Sequence, residues 1–301
     1  MKIDLSKVKE FGNIELLAKQ MVEGFITGLH KSPYHGFSVE FAEHKIYNTG
    51  ESTRHIDWKV YAKSEKLFTK RYEEETNLRC VILLDTSSSM YYPVENNGKI
   101  TFSIMAAACL SYLLQKQRDA VGIYTFSDKV EIQTPISSTA THTHKIFLLL
   151  EQLLREKQTE KKTSIASTIH EIADKIYKRS LVILFSDMFD DFEKANDLFS
   201  ALNHLKHNNH EVLLFHVKDK KTEVDFEFSD RPHEFIDIES GEKLKVQPNE
   251  IRNFYKSKIK EFEENLRLKA GQFKIDLIEA DINNSYSQIL VPYLTKRAKM
   301  K

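Results

Sequence analysis

Hydrophobic positions along the chain change their period, and each change marks an element. Leu16, Leu17, Met21, Phe25 and Ile26 recur at helical spacing, so residues 1–32 read as a helix with one apolar face, broken at Ser32 and Pro33. Phe37, Val39 and Phe41 alternate, which predicts an extended segment over residues 37–47. Asn48, Thr49 and Gly50 then supply a turn. A second strand pattern covers residues 67–72 and runs into Glu73, Glu74 and Glu75.

Beyond residue 78 the pattern differs. Residues 81–84 and 181–185 are apolar at every position, so neither face is left for solvent. That is the mark of a strand buried on both sides, as in a parallel sheet. Residues 121–126 and 212–217 read as further strands, with 130–133 an edge strand and 273–278 the last. Helical stripes fall between them at 99–118, 142–155, 163–177, 192–205, 249–270 and 285–299. A more polar stretch at 218–247 carries a small hairpin across Ser240 and Gly241. The alternation predicts an α/β fold: a doubly wound, mainly parallel, Rossmann-type sheet over residues 81–301, preceded by a helical and extended N-terminal extension over 1–80.

Composition narrows the class. A chain of 301 residues at 41% hydrophobic has enough apolar material for a sizeable core. With 44 basic and 44 acidic residues the formal net charge is zero, which gives no global field for nucleic acid or an anionic membrane. Cys80 and Cys109 sit in apolar contexts and read as buried thiols, not a disulfide framework. The first residues lack an apolar signal region, and the unbroken apolar runs fall short of a bilayer span. The expectation is a cytoplasmic protein without membrane insertion.

The candidate chemistry lies where the buried strands end. Asp85, Ser87 and Ser89 follow the first apolar run directly, at the carboxyl end where open α/β sheets place ligands. One carboxylate and neutral hydroxyls form a hard oxygen set suited to magnesium, manganese or calcium rather than zinc. The same residues also fit an ordinary helix cap. The second apolar run ends in Ser186 and Asp187, and the loop before the helix at 163–177 carries Thr163. If both runs are central parallel strands, Asp85, Ser87, Ser89, Thr163 and Asp187 gather at one sheet edge.

Asp-x-Ser-x-Ser after a buried strand, a loop threonine and a later strand-end aspartate resemble the metal-ion-dependent adhesion site of von Willebrand factor A-type domains. A wider resemblance covers nearly the whole chain. Residues 54–58, 68–75, the loop at 85–89, 119–126 and 237–242 are similar to the bacterial domain-of-unknown-function family fifty-eight. The resemblance implies an A-type domain after a short N-terminal extension and a partnership with a MoxR-type AAA+ ATPase. It also implies a divalent cation, Mg²⁺ before Mn²⁺ or Ca²⁺, held by Asp85, Ser87, Ser89, Thr163 and Asp187 and completed by an acidic residue of a partner protein. Lys161 and Lys162 stand where the family carries a glycine pair, and the N-terminal membrane helices of many relatives have no counterpart here.

Arg54, Asp57 and Trp58 admit two readings: a recognition surface, or an arm anchored on the main domain by the only tryptophan. Tryptophan is usually mostly buried, which favours the anchor. Enzyme classes fit less well. A haloacid-dehalogenase-type phosphotransferase needs a second aspartate where Ser87 stands. The loop at 85–92 has no glycine for a dinucleotide turn, and no P-loop or G-x-S-x-G elbow occurs. His170, His204 and His216 are scattered in sequence and read as surface or helix-face residues. The expectation is a non-enzymatic, metal-dependent binding module. A structural subunit with a degenerate site comes second, and a magnesium-dependent phosphatase or hydrolase third.

Overall fold

The computed structural model describes residues 12–30, 44–46, 61–62, 67–70, 78–96, 98–155, 165–188, 195–237 and 241–299. The first helical stripe becomes α1 (Ile14–His30), opened by Asn13, whose side chain accepts a hydrogen bond from the Leu16 amide at 2.8 Å. The chain forms two compact units, residues 1–26 with 78–301, and residues 27–77. In the smaller unit β1 (His44–Ile46) pairs antiparallel with β2 (Phe68–Lys70), each inside a segment expected to be extended. Arg54, Asp57 and Trp58 lie outside the described residues.

The larger unit is a mixed α/β structure around a six-stranded sheet. In chain order its elements are β3 (Arg79–Asp85), α2 (Gly98–Lys116), β4 (Ala120–Phe126), β5 (Val130–Gln133), α3 (Ala140–Arg155), α4 (Ile165–Lys175), β6 (Leu181–Ser186), α5 (Ala195–His207) and β7 (Glu211–Lys218). The hairpin β8 (His233–Ile236) and β9 (Lys243–Val246) follows, then α6 (Pro248–Gln272), β10 (Asp276–Asp281) and α7 (Ser287–Lys299). The strand order is β10-β7-β6-β3-β4-β5, parallel except for the edge strand β5. The two fully apolar runs are therefore neighbouring interior strands, with Leu84 opposite Phe185.

Strand period explains the layering. Cys80, Ile82 and Leu84 point to a core shared with α1, α2, α3 and α7, while Val81 and Leu83 point to a second core under α4, α5 and α6. Helix α2 is apolar almost all round and buried along most of its length, between the sheet and the outer helices. By length and composition it would suffice to cross a membrane, which its unbroken apolar runs alone do not reveal; here 16 of its 19 residues are buried. Cys80 and Cys109 are buried free thiols, and burial raises both well above the ordinary thiol range.

The last strand is displaced from its expected place at 273–278. Helix α6 runs on to Gln272, Lys274 takes a left-handed φ of 55°, and the Ile275 amide closes back on the Ala270 carbonyl at 2.9 Å. Phe273 to Ile275 thus form a helix cap, and β10 starts only at Asp276.

Candidate metal-binding site at the strand ends

Strand β3 ends at Asp85, and the chain turns at once. The Thr86 amide and hydroxyl both donate to the Phe126 carbonyl, at 2.8 and 2.9 Å, so Thr86 faces β4. Its hydroxyl also reaches Glu131 at 3.1 Å. The Ser87 amide donates to Asp85 Oδ1 at 2.9 Å, which folds the loop over its own strand end. A 3₁₀ turn (Ser88–Tyr91) follows, held down by buried Met90 and Tyr91. The Ser87 and Ser89 hydroxyl oxygens then lie 3.2 Å apart.

The parallel register brings Ser186 to the same height. Its hydroxyl donates to Asp85 Oδ2 at 2.6 Å and accepts from the Met188 amide at 2.9 Å. Both Asp85 oxygens are thereby fixed. Asp85 and Asp187 are each fully buried. Burial first, and the negative charge of Asp187 second, push the Asp85 carboxyl up to about 7, against hydrogen bonds from Ser186 and Ser87 that pull it down.

Asp187 meets a cation of the protein's own. Lys99, at the start of α2 and 1% exposed, donates from Nζ to Asp187 Oδ2 at 2.8 Å and to Glu223 Oε1 at 2.5 Å, over the Tyr92 ring at 5.7 Å. Glu223 belongs to a π-helical turn (Lys220–Val224), where its other oxygen accepts from the Asp219 amide at 2.7 Å. The paired carboxylates raise the Lys99 ammonium pKa despite its burial. His216, on β7, is also buried. Burial and the charge of Lys218 lower its ring to about 4, although the Asp187 backbone hydrogen-bonds it.

The structure thus brings Asp85, Ser87, Ser89 and Asp187 to one sheet edge; Thr163 lies outside the described residues. One expectation needs correcting. His216 is a buried strand residue beside the site, because β7 is an interior strand with both faces covered. His170 and His204 lie on helix faces, and because α4 packs on α5 their Nδ1 atoms are 2.9 Å apart. Lys99 and Glu223 were not anticipated. A signal for Lys99 was present, since a lysine opening an apolar helix sits against the positive end of the helix dipole and needs acidic partners. Glu223 is one acid in a charged stretch and has no such mark.

Residues 43–265 match the family described as protein of unknown function DUF58. The chain belongs to the DUF58 family. Uncharacterized proteins of Mycobacterium tuberculosis and Mycobacterium bovis are 21% identical to this DUF58 chain over 208 residues, 69% of it and 64% of their own length. The DUF58 chain therefore spans less than two thirds of these curated relatives. Among solved structures, BatB from Bacteroides thetaiotaomicron is 15% identical with a TM-score of 0.42, covering 74% of this chain and 99% of that one. An aerotolerance-related membrane protein from Bacteroides fragilis is 15% identical with a TM-score of 0.39, covering 72% and 97%.

Among the described residues no cluster of three or more His, Cys, Asp or Glu side chains has metal-binding geometry, so any ion here must rely on hydroxyls. The 3.2 Å between the Ser87 and Ser89 oxygens is close to the edge of an octahedron with ligands at ~2.1 Å, about 3 Å. Asp85, Asp187 and Glu223 carry three negative charges when ionised and Lys99 one positive, a deficit that one divalent cation balances. Asp85, Ser87 and Ser89 fit such an ion, with Asp187 already shared with Lys99.

Proposed function

We propose that this chain is a metal-dependent protein-binding module of the von Willebrand A-like type. Asp85, Ser87 and Ser89 hold a divalent cation, Mg²⁺ in the cell, with Thr163 and Asp187 completing the set directly or through water. An aspartate or glutamate from a partner protein fills the position left at the strand ends. The observation that carries the reading is the convergence of Asp85, Ser87 and Ser89 at the carboxyl end of an interior parallel strand, beside Asp187. The loop supplies one carboxylate and neutral hydroxyls, so the ion keeps much of its charge and favours an outside carboxylate. The partner class we assign is a MoxR-type AAA+ ATPase or its client, in the cytoplasm.

The site is assigned to binding and not to catalysis. The hydroxyl of Ser87 faces that of Ser89, and the buried His216 is engaged by the Asp187 backbone rather than by either serine. Purified protein with Mg²⁺ or Mn²⁺ and a panel of phosphate esters should release nothing above background. Turnover lost in Asp85→Ala would overturn this assignment.

A second reading, a structural interaction subunit with a degenerate site, is favoured by one observation: Lys99 already occupies Asp187. Capture of the ATPase on immobilised protein, with and without EDTA, separates the two. The metal-dependent reading expects capture to fail with EDTA and in Asp85→Ala. Capture that survives both places the contact elsewhere, with residues 54–58 the next segment to test.

A further inference from the structure

We propose that Lys99 is a built-in counter-cation of this pocket, one that keeps the carboxylates together without a bound ion and holds the affinity for a divalent cation low. The inference rests on the reading of residues 85–89 as the ion-binding loop and adds what regulates it.

The position of Lys99 is costly on every local count. It is 1% exposed, it lies at the end of α2 where the helix dipole repels a cation, and its aliphatic stem enters an otherwise apolar helix. Such a lysine is retained only where carboxylates compensate it, and Asp187 at 2.8 Å with Glu223 at 2.5 Å do so. Glu223 is itself set by the turn after β7, through the Asp219 amide and a 2.9 Å bond from the Tyr255 hydroxyl to its carbonyl. The ammonium is therefore clamped from the sheet on one side and the π-helical turn on the other.

Two consequences follow for an ion at Asp85, Ser87 and Ser89. One oxygen of Asp187 is committed to Lys99, so the ion competes with a tethered group for that ligand. The ammonium also repels the ion across a buried pocket, where charges are weakly screened. Residue charge sets an order. Removing Lys99 leaves the pocket one unit more negative than wild type, and neutralising Glu223 leaves it one unit more positive. Removing both charges restores the wild-type sum.

The test is a Mn²⁺ titration of the full chain, read by the electron paramagnetic resonance of free Mn²⁺, with thermal unfolding in EDTA alongside. Lys99→Met should bind at least about tenfold tighter than wild type and Glu223→Gln at least about tenfold weaker, the scale of one buried charge acting on a divalent ion. The double variant should return close to wild type. Lys99→Met should also melt lower in EDTA and recover with Mn²⁺, while Glu223→Gln retains the Lys99–Asp187 pair and serves if Lys99→Met does not fold alone. Wild-type binding that Asp85→Ala abolishes but that neither Lys99→Met nor Glu223→Gln alters would overturn the role of Lys99 and leave the ion site standing. Absence of binding in wild type and in Lys99→Met alike would overturn both.

Discussion

Ser186 donates a 2.6 Å hydrogen bond to Asp85 across the two central strands, and the same hydroxyl accepts from the Met188 amide. One side chain thus fixes the carboxylate of β3 and the turn that carries Asp187. Ser186→Ala leaves a buried carboxylate oxygen and a buried amide short of a partner. The expected cost is about 1–3 kcal/mol of stability, measured by urea unfolding, together with weaker Mn²⁺ binding as Asp85 loses its orientation. Unchanged stability and affinity would show that the loop at 85–89 positions Asp85 by itself.

Stability should depend on pH through two buried groups of opposite sign. The Asp85 carboxyl lies near 7 in the fold against an ordinary value of 3.8, so between these values the folded chain holds a proton the unfolded chain has lost. Its contribution is present below pH 3.8 and is lost as pH rises toward about 7. His216 lies near 4 against 6.5, so in that window the unfolded chain binds the extra proton, and stability falls as pH drops from 6.5 toward 4. In EDTA the two slopes oppose each other in wild type. Asp85→Asn removes the first, so its melting temperature should climb with pH between about 4 and 6.5 more steeply than that of wild type. Parallel profiles would contradict this.

The interior strands were legible because residues 81–84 and 181–185 are apolar at every position, and only a sheet covered on both faces accommodates that. Helix ends were less legible, because no glycine follows α2, α5 or α6 to mark them. Here left-handed Arg118, Asn209 and Lys274 follow α2, α5 and α6 instead, and the shift of β10 comes from the last of them. Asp85, Ser87, Ser89 and Asp187 could be read because each sits at the end of an apolar run. The partners of Asp187 could not, since Lys99 and Glu223 are 124 positions apart and meet only through the fold. His170 and His204, 34 positions apart, meet through helix packing in the same way.

Gly98 sets the entry of α2, and with it Lys99. A β-carbon there would stand 2.7 Å from Pro93 Cδ and 2.8 Å from Ile282 Cδ1. Both neighbours are held, Pro93 in the loop and Ile282 in the core. Gly98→Ala should cost about 1–3 kcal/mol by overpacking. It should also shift Mn²⁺ affinity in the direction of Lys99→Met, because the first turn of α2 must move. A variant with wild-type melting and affinity would show that the loop yields without disturbing Lys99.

At the opposite end of the strands, Asp119 joins the last helix to the sheet. It is 1% exposed and accepts from Arg297 Nε and Nη2, each at 3.1 Å, and from the Leu78 amide at 3.0 Å. The pair is bidentate, and Arg297 is only 16% exposed, so solvent screens it little. Asp119→Ala strands the guanidinium and the Leu78 amide together, at an expected cost of about 3–5 kcal/mol. Arg297→Met strands the Asp119 carboxylate, the more buried partner, and should cost a similar amount even though its stem still packs. The double variant should lose less than the sum of the two, by about 0.5–3 kcal/mol of coupling. Leu78 and Asp119 precede β3 and β4, whereas Asp85 ends β3. Mn²⁺ affinity in the folded variants should therefore match wild type, and a loss of affinity parallel to the loss of stability would show that the two sheet ends are coupled.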